Sequence, residues 1–183
     1  MGIRIMMVAM AFALLILTAA VVLLFAMMGE LSSRVPDSED GRIVALEEYR
    51  PGAEADQWPE PLSDLVHARR SALLVLSTVC ATCATVADEI GRHPELVARR
   101  PVGTVVTCAS AEEGEKFAAD HALPPGTYAI DAGGAWVAEN FGVGKSPSAL
   151  VFNGGVLTEA FAFSKVGPLL ERIQIGTARE EMA

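Results

Sequence analysis

The stretch SALLVLSTVCATC, residues 71–83, runs a wholly apolar segment into two cysteines separated by two residues. A run this short and this uniformly apolar suits a strand covered on both faces, so Ala72–Ser77 is expected to lie inside a sheet. Beyond it Cys83, Val86, Ala87 and Ile90 fall at helical spacing, and Gly91-Arg-His-Pro94 is expected to stop that helix. Cys80 therefore stands where a buried strand turns into a helix, with Cys83 one turn further on. Three chemistries use cysteines at this spacing: a dithiol that cycles, a static disulfide, and half of a metal site.

The flanking sequence repeats the alternation. Residues 102–107 (VGTVVT) read as a second strand. Ser110 followed by Glu113 resembles a capping box and opens a polar helix that Pro124-Pro125-Gly126 ends. Residues 127–131 (TYAID) read as a strand, and 135–141 (AWVAENF) as a short helix closed by Gly142. SALVF (148–152) and VLTEAFAF (156–163) form a hairpin, with Asn153-Gly154 as its turn signal. Pro168 sits near the start of a closing helix. Before the motif, 41–50 (GRIVALEEYR) could hold a short strand or hairpin, and 51–65 is a lead-in interrupted by prolines. Alternation first and a hairpin last imply an α/β fold with a mixed sheet and helices on both faces.

The amino-terminal end has a different character. Hydrophobic residues are 51% of the 183, and the excess lies between Ile5 and Met28. As a helix that run would reach about 36 Å, enough for a bilayer core of about 30 Å. It is longer than the apolar part of a cleavable signal peptide and lacks a good cleavage site after it, so an uncleaved anchor is expected, a removed signal being the alternative. The expected organisation is a transmembrane signal-anchor over 1–29, a polar tether over 30–40 and one domain over 41–183. Arg4 and the amino terminus set against Arg34 and Arg42 favour the amino terminus inside and the domain outside, extracytoplasmic or periplasmic. A formal charge of −9 argues against a nucleic-acid partner.

Only a thiolate attacks a disulfide, and a cysteine in the first turn of a helix sits near unpaired N–H groups that lower its pKa. Cys83, one turn on, is placed to resolve the mixed disulfide that Cys80 forms. A metal site would need two further ligands. Cys108 with His67, His93 or His121 could be proposed, but no second Cys-x-x-C or His-x-His cluster exists. Three cysteines are too few for a disulfide scaffold. Trp58 and Trp136 read as core or rim packing.

This combination of elements resembles the thioredoxin fold, and within it the membrane-anchored TlpA/ResA-like and methylamine-utilisation (MauD-like) thiol-disulfide proteins. The inserted α-β unit matches residues 110–131, GVGKSPSALVF matches a glycine-proline stretch of that group, and the likeness covers roughly 41–176. It implies a thioredoxin-like mixed sheet and a cis peptide bond before Pro147. The backbone of Ser146 would then lie beside the Cys80 sulfur, where an extended substrate segment could pair with it. Without the resemblance, Lys145-Ser-Pro147 is simply a turn before a strand. The fold would also bring Cys108 to the sheet edge of Cys80, as a buried small hydrophobe or a possible accessory thiol. Val79 stands where relatives carry an aromatic, and the strand before the motif has no buried acid; Asp88 and Glu89 are the carboxylates on the right helix. The implied activity is thiol-disulfide exchange with an exported client protein, for example in cytochrome c or amine dehydrogenase maturation, supplied with electrons by a membrane partner. It requires no organic cofactor or metal. The alternative is a non-catalytic accessory or chaperone-like maturation factor built on the same fold.

Overall fold

The computed structural model describes residues 41–174, together with Met6, Met10, Leu14, Leu17 and Thr18. Those five are helical and exposed, and the Thr18 hydroxyl donates to the Leu14 carbonyl at 2.8 Å. The rest of the expected anchor, and the tether over 30–40, lie outside the described residues. Among the described residues no helix is long and apolar enough to cross a membrane. The chain divides into two compact units, Met1–Asp37 and Ser38–Ala183, and the second carries the elements that follow.

The strand expected from the apolar run is β2 (Arg70–Ser77), and its six interior residues are buried. Two parallel neighbours follow on one side, β3 (Val102–Cys108) against β2 and β4 (Tyr128–Ala132) against β3. On the other side the hairpin of β5 (Ser148–Asn153) and β6 (Val156–Ala162) runs antiparallel, and β1 (Val44–Ala45) pairs with its outer strand. The order is β1-β6-β5-β2-β3-β4. This is the mixed sheet that alternation followed by a hairpin implies.

Period-two alternation sends side chains to opposite faces, and the helices cover both. Leu74 and Leu76 of β2 pack with α1 (Ala81–Arg92), Phe117 and Ala118 of α3 (Ala111–Asp120), and Leu169 and Leu170 of α5 (Val166–Arg172). Leu73 and Val75 face the other way, toward Val137 and Phe141 of α4 (Ala135–Phe141). Trp58 completes this second layer, edge-on to Phe152 at 5.1 Å and to Trp136 at 5.6 Å, while the Trp136 indole donates to the Gln57 carbonyl at 2.8 Å. Both tryptophans are packing residues, as their sequence context suggests, and they fasten the proline-rich lead-in to the sheet.

The helix stop expected at residues 91–94 falls within that stretch, α1 ending at Arg92 with His93 as its C-cap. Local expectations fall short in three places. The lead-in contains a 3₁₀ helix, Glu60–Val66, that buries Leu62 and Leu65. A short α2 (Glu95–Ala98) follows α1, and Val97 is its buried anchor. The hairpin turn is Gly154-Gly155, not Asn153-Gly154. Asn153 pairs with Val156, and both glycines have positive φ (57° and 83°), as a two-residue turn of the hairpin-favoured hand requires.

Candidate active site

The carboxyl end of β2 delivers Cys80 to the top of the sheet. Its backbone is extended (φ −105°, ψ 116°) and it is the N-cap of α1. The Cys83 N–H donates to the Cys80 sulfur at 3.3 Å, and the Cys80 thiol donates to the Ser146 carbonyl at 3.6 Å. The half-buried Cys80 is preceded by Val79, a side chain left 89% exposed.

Cys83 has no exposed surface and packs with Val86, Ala87 and Ile90 on the inner stripe of α1. Burial pushes its thiol up from 9.0 to about 12. The adjacent Cys80 thiol adds to the rise, while hydrogen bonds from the Ser77 backbone and the Ser146 side chain oppose it. The Ser146 carbonyl thus stands directly at the Cys80 sulfur. The Ser146–Pro147 peptide bond is cis, as the resemblance implied.

Cys108 ends β3, whose Thr107 pairs with Ser77 of β2, so it shares the carboxyl edge of the sheet with the motif. It is buried, and its thiol points toward the Asp131 carbonyl at 4.0 Å. Burial raises its pKa, and the charge of Glu113 adds to that. Glu113 is the third residue of α3 and receives two bonds that the sequence did not announce. The Thr78 hydroxyl, just before the motif, donates to one carboxylate oxygen. The Ala109 N–H donates to the other at 3.3 Å. The expected cap bond from the Glu113 N–H to Ser110 is present at 3.3 Å. Nothing in the spacing of Thr78 and Glu113, thirty-five residues apart, signals this contact.

Both carboxylates considered from sequence are occupied elsewhere. Glu89 accepts the Val166 and Gly167 N–H groups at 2.9 and 3.1 Å, holding the start of α5. Asp88 bonds His121 at 2.7 Å, which holds its carboxyl below the usual value. The buried Asp131 caps α4 through the Trp136 and Val137 N–H groups. Among the described residues no three His, Cys, Asp or Glu side chains gather as metal ligands. His121 is taken by Asp88, His93 lies beside Glu95 at 3.3 Å, and His67 caps the 3₁₀ helix.

These positions set an order of thiol reactivity. Iodoacetamide at pH 7, applied to the reduced protein, should modify Cys80 first, with Cys83 and Cys108 left as free thiols until the protein is unfolded. Mass spectrometry after digestion reads this, and initial labelling at Cys83 would contradict the geometry. A pH dependence follows from the Cys83 shift. Its folded value lies above its unfolded value, so the neutral thiol stabilises the fold fully below pH 9.0, and that contribution is lost as pH climbs toward about 12. Denaturation midpoints of the reduced protein should fall across that window, and Cys83→Ala should flatten the decline.

No protein-family model matches this chain, and no curated protein does. Solved structures similar to it include a protein named as a thiol:disulfide interchange protein, DsbE, from Chlorobium tepidum. It is 18% identical, with a TM-score of 0.52 over 68% of this chain and 96% of that one. Another, named as a protein disulfide isomerase, comes from Bacteroides thetaiotaomicron; it is 13% identical, with a TM-score of 0.51 over 69% of this chain and 89% of that one. At such identities the likeness speaks to the fold, which is the thioredoxin-like mixed α/β sheet flanked by helices.

Proposed function

We propose that this chain is a membrane-tethered thiol-disulfide oxidoreductase whose Cys80–Cys83 pair exchanges with an exported client protein. One arrangement carries the reading: an accessible Cys80 at the head of α1, beside the Ser146 carbonyl, with Cys83 buried one turn below. The fold it shares with two proteins named for disulfide chemistry supports it.

Written in the reducing direction, the Cys80 thiolate attacks one sulfur of a client disulfide and expels the other as a thiolate. Cys83 then loses its proton and attacks the Cys80 sulfur, closing the Cys80–Cys83 disulfide and releasing the second client thiol. Two electrons and two protons pass from the dithiol to the client, and a dithiol partner at the membrane returns them. The oxidising direction is the same sequence reversed. The Ser146 carbonyl accepts a proton donor near Cys80, as a client N–H would be, so an extended segment can lie along this loop. The high value of Cys83 makes its deprotonation the demanding step. The apolar amino-terminal run supports the tether, and the resemblance to the TlpA/ResA-like and MauD-like proteins supports an extracytoplasmic domain and a maturing client such as a cytochrome c or amine dehydrogenase subunit.

Equilibrating the full-length protein in detergent with graded thiol-disulfide buffers, then alkylating it, tests the exchange. A single two-electron transition confined to Cys80 and Cys83 is expected. A pair that never interconverts would favour the accessory-factor alternative. For topology, reporters fused after residue 41 should be active only if they function outside the cytoplasm, and activity of a cytoplasm-only reporter would overturn the location.

A further inference from the structure

The turn that presents Cys80 is short: Thr78, Val79 and Cys80 lie between the last residue of β2 and the first of α1. The Thr78 and Cys80 N–H groups donate to the Thr107 and Ser77 carbonyls at 3.1 and 3.2 Å. Val79, the central residue, has its side chain 89% exposed and so adds little packing. The turn gains a hold on another helix through the Thr78 hydroxyl, which donates to Glu113 of α3.

Glu113 is itself held. It is the third residue of α3, the position whose carboxylate in a capping box returns to the N–H of the capping residue. Half of the box is present, since the Glu113 N–H donates to the Ser110 hydroxyl at 3.3 Å. The carboxylate departs from it. One oxygen accepts the Ala109 N–H, one residue before the cap, at 3.3 Å, and the other accepts the Thr78 hydroxyl. One side chain therefore joins three points: the turn before Cys80, the loop after β3, and the first turn of α3. That helix is anchored in turn by Gly114, Phe117 and Ala118, all buried. Hydrogen bonds to a carboxylate are roughly twice as strong as neutral ones, so this is a firm fastening for an exposed turn.

The Cys80 sulfur depends on the shape of the turn. It accepts the Cys83 N–H at 3.3 Å and stands 3.6 Å from the Ser146 carbonyl, with its backbone extended (φ −105°, ψ 116°) as the N-cap of α1. We infer that Glu113 is a positioning residue for disulfide exchange, acting through Thr78 to hold the Cys80 sulfur at the head of α1. This rests on the exchange reading and adds to it a residue from another helix, thirty-five positions from Thr78 in sequence.

The test follows a single turnover of the reduced full-length protein in detergent with bis(2-hydroxyethyl) disulfide. The reaction leaves a Cys80–Cys83 disulfide and two molecules of 2-mercaptoethanol, so electrons balance without a further reductant. Glu113→Ala and Thr78→Val each remove one partner of the bond, and each should slow the reaction roughly tenfold, as misplacement of a reacting atom does. The combined variant should be no slower than the slower single one, because both remove the same contact. Thr78→Ser keeps the hydroxyl and should recover most of the rate. Circular dichroism at the assay temperature gives the folded fraction, and rates are expressed per folded molecule, so lost stability alone does not move them. Wild-type rates in folded Glu113→Ala and Thr78→Val would overturn the inference, as would a combined loss equal to the product of the two single losses. If Glu113→Ala does not fold, Thr78→Val against Thr78→Ser tests the same bond from its other end, and equal rates there overturn it. Failure of the wild-type protein to reduce the disulfide would overturn the exchange reading and this inference with it.

Discussion

Cys80→Ser is expected to lower disulfide exchange by on the order of 10⁴-fold or more, the scale seen when a covalent nucleophile is removed. Cys83→Ser is expected to do something different in kind. Cys80 is half-buried at the head of α1, so in that variant it still attacks clients. With no second thiol one turn below, the mixed disulfide has nothing to resolve it, and Cys80-linked clients should accumulate as reductant-sensitive high-mass species. Cys80→Ser should trap almost none, because Cys83 has no exposed surface and its thiol is held neutral by burial. Cys108→Ser should leave the wild-type pattern, since that thiol is buried against α3 and the Asp131 carbonyl. Extracts quenched in acid, alkylated and run with and without reductant read all three. Equal trapping by the two motif variants would remove the division of labour between the cysteines. Trapping that disappears in Cys108→Ser would assign Cys108 a redox part.

The legible portion of this molecule is what one short segment decides. A strand buried on both faces must be apolar throughout, so Ala72–Leu76 announced β2 as an interior strand and placed Cys80 at its carboxyl end. Helical spacing of Cys83, Val86, Ala87 and Ile90 then announced which cysteine would be inward, and all four are buried. Ser146 and Pro147 were named through a resemblance, and their place beside Cys80 is a tertiary fact that no spacing carries. The bond between Thr78 and Glu113 and the two N–H groups held by Glu89 were invisible for the same reason. Each joins residues far apart in sequence, and a glutamate on a helix otherwise reads as solvated surface. The 3₁₀ helix over Glu60–Val66 was hidden by its prolines, which break an α pattern yet suit the start of a tighter turn.

Gly91 shows how a local rule and a packing demand give opposite readings, and it makes a sharp prediction. Gly91 is the next-to-last residue of α1, still inside the helix that the Gly-Arg-His-Pro stretch stops. Exchanging a helical glycine for alanine normally stabilises by about 0.5–1 kcal/mol. Here an alanine Cβ would stand 2.0 Å from the His121 carbonyl oxygen and 3.3 Å from that of Ala122. That wall is backbone, and it is held by its own bonds. The His121 N–H donates to Phe117 at 3.1 Å, the Leu123 N–H donates to Ala118 at 2.9 Å, and Ala122 between them has φ 51°. Neither helix can retreat without disturbing the end of α3 or the buried stripe of α1. Overpacking of this sort typically costs about 1–3 kcal/mol and occasionally more, which outweighs the propensity gain, so Gly91→Ala should destabilise by roughly 2 kcal/mol net. Gly114→Ala is the informative comparison. Its Cβ would meet Ile130 and the Cys108 sulfur at 2.6 and 2.8 Å, side-chain atoms rather than backbone, so the loss should be smaller. Denaturant midpoints of the two variants, measured beside wild type, decide the order. Gly91 lies at the opposite end of α1 from Cys80, so the folded fraction of Gly91→Ala should still label first at Cys80. A variant as stable as wild type would mean that α1 and α3 are not in the contact that positions this helix.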